Sequence, residues 1–409
     1  MLDCLLNEKE RAFRDEVRNF VKNEIPSQAV RDMDTGNLES GRWFVEKAGA
    51  LGLLGPRFPA KYGGRDLNWV SDLLANEEVG VLGTSLGCAY AMPSIVGEAL
   101  NQFGTEKQKM KYLAPTLAGK LYSAEALTEP RGGSDFFGAT TTAVEQGDVF
   151  ILNGEKRFVV GAQDADWFLV YARSDPNASS HKSISCFIVE RSFGVDVQNI
   201  YQLMGTRGGG TGRLVFNDVP VPKENLVGQL HNAYAVFNKM MIPERLLSAG
   251  GAIGAGRAAL EVAARYSTRR KAFGQTIDNF QAINFMVADS AVLIDAAKAL
   301  SFVAAKQADK GQDARRMVSE AKKVGTENSW EVLNNAMQIM GGIGYTTVYP
   351  IERLLRDGRL SMIWTGSNQI MNLLIQHGYY KELDKKAGLT RDVEEDALNP
   401  EQSSEKHFG

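Results

Sequence analysis

Helical patterning, then short β-branched and aromatic runs, then helical patterning again: this order along 409 residues predicts an α+β protein. Three observations carry it. Apolar residues recur at helical spacing through most of the first 120 positions, the texture changes at about Leu121 to strand-like runs separated by turns, and long helical patterns return from Ala233. The predicted units are an N-terminal helical domain over 1–120, a middle β domain over 121–228, a C-terminal helical bundle over 229–381 and a charged tail over 382–409.

Taken in order, Asn7 is placed to cap a helix whose Phe13, Val17, Phe20 and Val21 share one face until Pro26 interrupts it. A loop over Asp34–Arg42 leads to a short helix and then to PRFPAKYGGRDLN, which reads as irregular. Helices are expected again from Trp69 to about Leu82 and from Ser94 to Phe103. In the β section, Val149–Leu152, the pair Asn153-Gly154 and Glu155–Val160 carry the signature of a hairpin with a two-residue turn. Trp167–Tyr171, Ser183–Val189 and Gly212–Phe216 are further strands, and Pro220 and Pro222 close the section. Ala233–Thr268, Phe280–Lys310 and Asp313–Met340 are the long helical patterns that follow. Gly250, Gly251, Gly254 and Gly256 fall inside the first of these and read as close helix packing, because a phosphate loop needs a strand before it. The tail, with KELDKK, RDVEEDA and PEQSSEK, is charged and weakly patterned, as a frayed extension would be.

Composition removes several classes of function. The net charge of −3 supplies no field for nucleic acid or an anionic membrane surface. Cys4, Cys88 and Cys186 are scattered and odd in number, which fits a reducing compartment without a disulfide framework. The four histidines, His181, His231, His377 and His407, make no ligand spacing, so no metal site is expected. Neither a signal peptide nor a transmembrane run is evident, and the expectation is a soluble, intracellular protein.

Two loops carry polar groups suited to a ligand. LTEPRGGSD, Leu127 to Asp135, combines a hydroxyl, a tight turn and exposed backbone amides able to meet a flat heterocycle or a phosphate, although a plain surface turn uses the same residues. SMIWTGSNQI, Ser361 to Ile370, joins two helical segments, and Gly366 lets its backbone approach a ligand closely.

LTEPRGGSD, NGEKRFVV, RRKAFGQ with Gln281 after it, QIMGGIGY and TGSNQ stand in one order and cover nearly the whole chain to about Tyr380. Together they resemble the acyl-CoA dehydrogenase family of flavoproteins. The resemblance implies an N-terminal helical domain, a middle β domain and a C-terminal four-helix bundle, with FAD held between the last two. Leu127 is implied among the cofactor contacts, Thr128 at the pyrimidine side of the flavin, Phe158 against the ring and Ser134 near the pyrophosphate or the CoA entrance. Arg270, Phe273, Gln338, Gly341 and Gly342 resemble residues by which a neighbouring subunit holds the dinucleotide. Read without the family, Arg270 is a solvated charge and the glycine pair a helix stop. Gln281 matches a flavin-contacting glutamine, and Ser367 and Gln369 match cofactor contacts of the closing loop.

The implied reaction takes the α-proton of an acyl thioester onto a carboxylate and the β-hydride onto the flavin. Many members carry that carboxylate just before the glycine of the closing loop, where this chain has Thr365 ahead of Gly366. Glu244, beside Arg245, resembles the alternative base of members acting on branched or long chains; the structural reading is a glutamate near a helix N-terminus after Pro243. Val160 stands where many members have a threonine that hydrogen-bonds the flavin. Leu86–Ile95, uncharged and rich in small residues, is expected to line an acyl pocket for an apolar, branched or cyclic group. With Glu244 as catalytic base, Thr365, Gly366, Arg245 and Ser134 are implied around the substrate. A homotetramer that passes electrons to an electron-transfer flavoprotein is implied too, in a bacterial cytoplasm or a mitochondrial matrix. Two other readings stand beside this one. The same fold could run a 1,4-elimination on a cyclic acyl-CoA, an enoyl-CoA reduction or a monooxygenation; or the protein could bind flavin or CoA with little catalysis.

Overall fold

The computed structural model describes residues 2–38, 40–386 and 388–396, and it has the predicted order of helices, sheet and helices. The N-terminal part holds α1 (Glu8–Glu24), α2 (Ser27–Thr35), α3 (Arg42–Ala50), α4 (Trp69–Gly80), α5 (Thr84–Phe103) and the short α6 (Glu106–Gln108) and α7 (Ala114–Leu117). Asn7 caps α1 as expected: its side chain accepts from the Glu10 amide while Glu10 reaches back to the Asn7 amide. Pro26 ends the pattern of α1, but the chain turns straight into α2, with Pro26 in the N-cap position. Helix α5 begins at Thr84 rather than Ser94 and carries Pro93 inside it, because packing on every side compensates the missing amide.

The β domain contains β1 (Ser123–Ala126), β2 (Thr142–Gln146), β3 (Val149–Val159), β4 (Trp167–Arg173), β5 (Ile184–Glu190), β6 (Asp196–Gln198), β7 (Gly212–Pro222) and β8 (Leu226–Val227). Their order is β6-β7-β3-β2-β4-β5-β8, with β1 parallel to β4. Two expectations fail here. The hairpin predicted at Asn153-Gly154 is one continuous strand, β3, and the tight turn falls one step earlier, at Gly147-Asp148 between β2 and β3. Gly154, at φ +141°, absorbs an irregularity in the pairing with β7, and a Cβ there would sit 2.7 Å from the Thr141 Cα. Pro220 and Pro222 lie within β7 instead of closing the section. They are tolerated because β6 covers only the Arg213–Val215 part of the β7 edge.

Strand β4 shows how the sheet joins the helices. Trp167, Leu169 and Tyr171 face the core shared with α3, α5 and α8, while Phe168, Val170 and Ala172 face the β domain's own core. The bundle consists of α8 (Ala233–Ser267), α9 (Gln281–Asp309), α10 (Arg315–Met340) and α12 (Asn368–Lys386), with α11 (Ile351–Ser361) leading into the last. Between α8 and α9, β9 (Lys271–Ala272) and β10 (Gln275–Thr276) form a small hairpin. The glycines of α8 work as expected: a Cβ on Gly254 would lie 2.1 Å from the Glu77 carbonyl of α4, and one on Gly250 would lie 2.9 Å from that of Leu73. Asp357 of α11 ties the three parts together, accepting from the Thr84 amide at 3.0 Å and the Thr206 amide at 2.6 Å. The predicted tail divides: α12 runs on to Lys386, with Glu382 hydrogen-bonded to Arg316, and the PEQSSEK part lies outside the described residues. Among the described residues no helix is long and apolar enough to cross a membrane, and no group of three or more His, Cys, Asp or Glu could hold a metal ion.

Candidate active site

A cavity of about 650 Å³ opens where α4, α5, the β domain, α8 and the loop between α11 and α12 meet. Ten of the sequence-predicted site residues line it: Leu127, Thr128, Ser134, Phe158, Val160, Glu244, Arg245, Thr365, Gly366 and Ser367. Gly87, Cys88, Ala91, Met92 and Ile95 of α5 form part of the wall, as expected of that uncharged stretch. Arg270, Phe273, Gln281, Gln338, Gly341, Gly342 and Gln369 do not reach the cavity and are exposed. The first six gather where the C-termini of α8 and α10 and the N-terminus of α9 come together.

The β side is set by a buried ion pair that sequence reasoning passed over. Lys156 of β3 meets Glu129 at 2.8 Å and donates to the Leu127 carbonyl at 3.1 Å. Glu129 also accepts from the Thr140 and Thr141 amides, and the Arg157 amide donates to the Thr128 carbonyl at 2.7 Å. Burial would raise the Glu129 carboxyl, yet the Lys156 charge and these bonds outweigh it and hold it down to about 2. The loop carrying Thr128 is thus pinned at both ends of its first turn. Phe158 lines the opening with φ +56°, its ring tilted at 41° to that of Tyr201 with centroids 5.0 Å apart.

On the helical side, Glu244 sits well inside α8, not near its N-terminus, and Pro243 is an interior proline of that helix. The Glu244 Oε2 is sealed from solvent and has no hydrogen-bond partner, and the residue lines the cavity. Burial pushes its pKa up to about 7, against the opposing charges of Arg245 and Lys322. Arg245 is buried with only a 3.5 Å contact to the Ser319 hydroxyl, and burial pulls it down to about 10. Lys322 of α10, absent from the sequence reading, donates to the Gly366 carbonyl at 3.0 Å and to Asn368 Oδ1 at 2.7 Å, and burial brings it down to about 7. It clamps the closing loop from behind, while Trp364 Nε1 donates to the Ser248 hydroxyl at 2.9 Å. Within that loop Thr365 stands at φ +54° with its hydroxyl oxygen buried and unpartnered.

Such an arrangement offers one carboxylate titrating near neutrality in a mostly apolar enclosure, beside a loop held rigid by a lysine. It suits proton abstraction from a weakly acidic carbon, since a carboxylate poised near neutral pH is stripped of competing water.

Comparison with known proteins identifies the family. Family models for the acyl-CoA dehydrogenase N-terminal, middle and C-terminal domains match residues 7–120, 124–219 and 234–380. A short-chain-specific acyl-CoA dehydrogenase of Clostridium acetobutylicum is 34% identical over 91% of this chain and 98% of its own length. The subunit CarC of the caffeyl-CoA reductase-Etf complex of Acetobacterium woodii is 35% identical over 90% and 97%. The solved FAD complex of PigA superposes with a TM-score of 0.87 at 25% identity, covering 92% of this chain and 98% of that one. Motif order, domain order and these matches lead to one conclusion: the chain belongs to the acyl-CoA dehydrogenase family.

Proposed function

We propose that the protein catalyses FAD-dependent α,β-dehydrogenation of an acyl-CoA thioester whose acyl group is mainly apolar, with Glu244 as the base. The observation that carries this is Glu244, with a buried and unpartnered Oε2, in the lining of one cavity with a closing loop in which Thr365 has no carboxylate to offer. The lining fits a flavin: Phe158, Val160 and Trp364 are apolar surfaces, and the Thr128, Thr365 and Ser367 hydroxyls, with a buried, unpartnered Arg157 Nε, are edge donors. Leu127 and Thr128 would hold the pyrimidine edge and Ser134 the phosphates or the CoA arm. Gln281, Ser367 and Gln369 would contact the cofactor, and Arg270, Phe273, Gln338, Gly341 and Gly342 would hold the dinucleotide of a neighbouring subunit in a homotetramer. Their exposure at one end of the bundle is consistent with a role across an interface.

When bound, FAD supplies the acceptor for the β-hydride. Glu244 takes the α-proton, and Arg245 and Lys322 limit the rise of its pKa so that it is largely ionised above neutrality. Lys322 holds Thr365 and Gly366 in place against the thioester end. The apolar α5 wall keeps water from the carboxylate. An electron-transfer flavoprotein would then accept the electrons. A reductive direction on an enoyl-CoA is favoured by one observation, the similarity to the caffeyl-CoA reductase subunit.

The test is anaerobic mixing of holoenzyme with saturated acyl-CoAs and mass analysis of the products. Wild type should bleach and release the 2-enoyl thioester, while Glu244→Gln should keep FAD and bleach at least ~10³-fold more slowly. Undiminished bleaching by Glu244→Gln removes Glu244 from the role. Oxidation of the reduced enzyme by enoyl-CoA, without bleaching by any saturated thioester, selects the reductive direction.

A further inference from the structure

A second carboxyl, on a strand of the β domain, lines the same cavity as Glu244. Glu125 belongs to the four-residue β1, whose neighbours Ala124 and Ala126 point into the β domain's own core. The parallel register sets Glu125 beside Leu169 of β4, on the alternate face, which meets the helices. Its Oε1 is sealed from solvent without a hydrogen-bond partner, as is the Oε2 of Glu244, and both residues line the same space. Apolar residues share the lining of that space, among them Ala91, Met92, Ile95, Phe237 and Met241. Nothing in the fold requires a glutamate here, and an unsatisfied carboxyl in such a place is costly unless a ligand meets it.

We propose that Glu125 selects the acyl group, by hydrogen-bonding a neutral oxygen substituent, a hydroxyl or a carbonyl, that the acyl chain carries into the cavity. The inference rests on the reading of the cavity as an acyl-thioester site and narrows its substrate class. Charge decides for a neutral oxygen. Two carboxyls in one dry space do not both ionise. Glu244 has Arg245 and Lys322 to support its charge; the lysine that faces Glu125, Lys156, is committed to Glu129. Burial and the Glu244 charge therefore keep Glu125 protonated. A protonated carboxyl has one O–H to donate and a carbonyl oxygen to accept, the complement of an alcohol or ketone. An alkyl chain leaves both unmet, and a cation would have to displace the proton. The rest of the wall still takes a mainly apolar group, so the oxygen is a single polar point on it.

The experiment uses FAD-loaded wild type, Glu125→Gln and Glu125→Leu with hexanoyl-CoA, 4-, 5- and 6-hydroxyhexanoyl-CoA, and 6-aminohexanoyl-CoA. Binding is read from perturbation of the flavin spectrum and, separately, turnover from bleaching. Wild type should bind at least one hydroxyhexanoyl-CoA roughly ten- to a hundredfold more tightly than hexanoyl-CoA. Glu125→Gln, which keeps an uncharged donor and acceptor, should retain most of that ratio, and Glu125→Leu should reduce it to about one. Equal binding of hexanoyl-CoA and every hydroxy probe by wild type overturns the proposal. So does an unchanged ratio in Glu125→Leu, or a preference for the amino probe that Glu125→Gln abolishes. Should Glu125→Leu fail to fold, the wild-type ratio and Glu125→Gln still decide. Binding ratios that hold while no thioester bleaches the flavin would refute the dehydrogenation reading and leave the role of Glu125 standing.

Discussion

Glu244 is pulled two ways, by burial toward the neutral acid and by Arg245 and Lys322 toward the carboxylate, and the balance near 7 has consequences for both rate and stability. In the unfolded chain a glutamate titrates near 4.3. Below that pH both states hold the proton and the residue is neutral toward folding. As pH rises toward 7 the unfolded chain ionises freely while the folded site resists, so stability is lost across this window and the loss stays constant above it. Glu244→Gln should therefore be more stable than wild type by roughly 3–4 kcal/mol in urea unfolding at pH 8, with the difference vanishing below about pH 4. In the same window activity moves the other way: bleaching by an acyl-CoA should rise with pH and reach half its limit near 7. A midpoint below 5 would mean that a solvent-exposed carboxylate is the base. Glu125 shows what the residue scale conceals. A glutamate between alanines in a short strand was visible, but its direction depends on pairing with β4.

At the scale of elements, Lys322 connects α10 to the closing loop and, through its charge, to Glu244 at once. Lys322→Met should move the pH midpoint of bleaching upward, because a charge favouring the Glu244 carboxylate is lost, and should slow the limiting rate by roughly tenfold as Gly366 loosens. An unmoved midpoint would reduce Lys322 to a packing role. The glycines of α8 permit a second test. Alanine usually stabilises a helix interior relative to glycine by about 1 kcal/mol, but at Gly254 a Cβ would press on the Glu77 backbone at 2.1 Å. Backbone cannot step aside as a side chain can, so Gly254→Ala should destabilise by about 2 kcal/mol, read as a fall in thermal midpoint of several degrees. Strand β3 holds the main element-level lesson. Asn153-Gly154 has the residues of a hairpin turn, yet Asn153 bonds the Asp218 side chain and amide, and β3 is paired on both edges. Tertiary pairing overrode a strong local signal.

For the whole molecule, the exposed end of the bundle carries the prediction about assembly. Phe273 is 95% exposed at the tip of the β9–β10 hairpin, with φ +49°, close in sequence to the exposed Arg270. If a neighbouring subunit's FAD rests there, Phe273→Asp should elute as a smaller species than wild type and lose FAD on dilution, with its helical circular dichroism unchanged. An intact oligomer that keeps its FAD would place the interface elsewhere.

The sequence by itself determined the order of helices, sheet and bundle, the capped first helix, the packing glycines of α8 and the family, because periodicity, capping and co-linear motifs are local or depend only on order. Of the site it showed Glu244 and the residues of two loops, since their types and spacing are written in the chain. Only the tertiary structure decided that Glu244 and Glu125 line one cavity and that Lys322 clamps the loop from another helix. Burial, partnership and direction belong to residues brought together from far apart in the chain, and a linear pattern holds no record of which side chains are left without a partner.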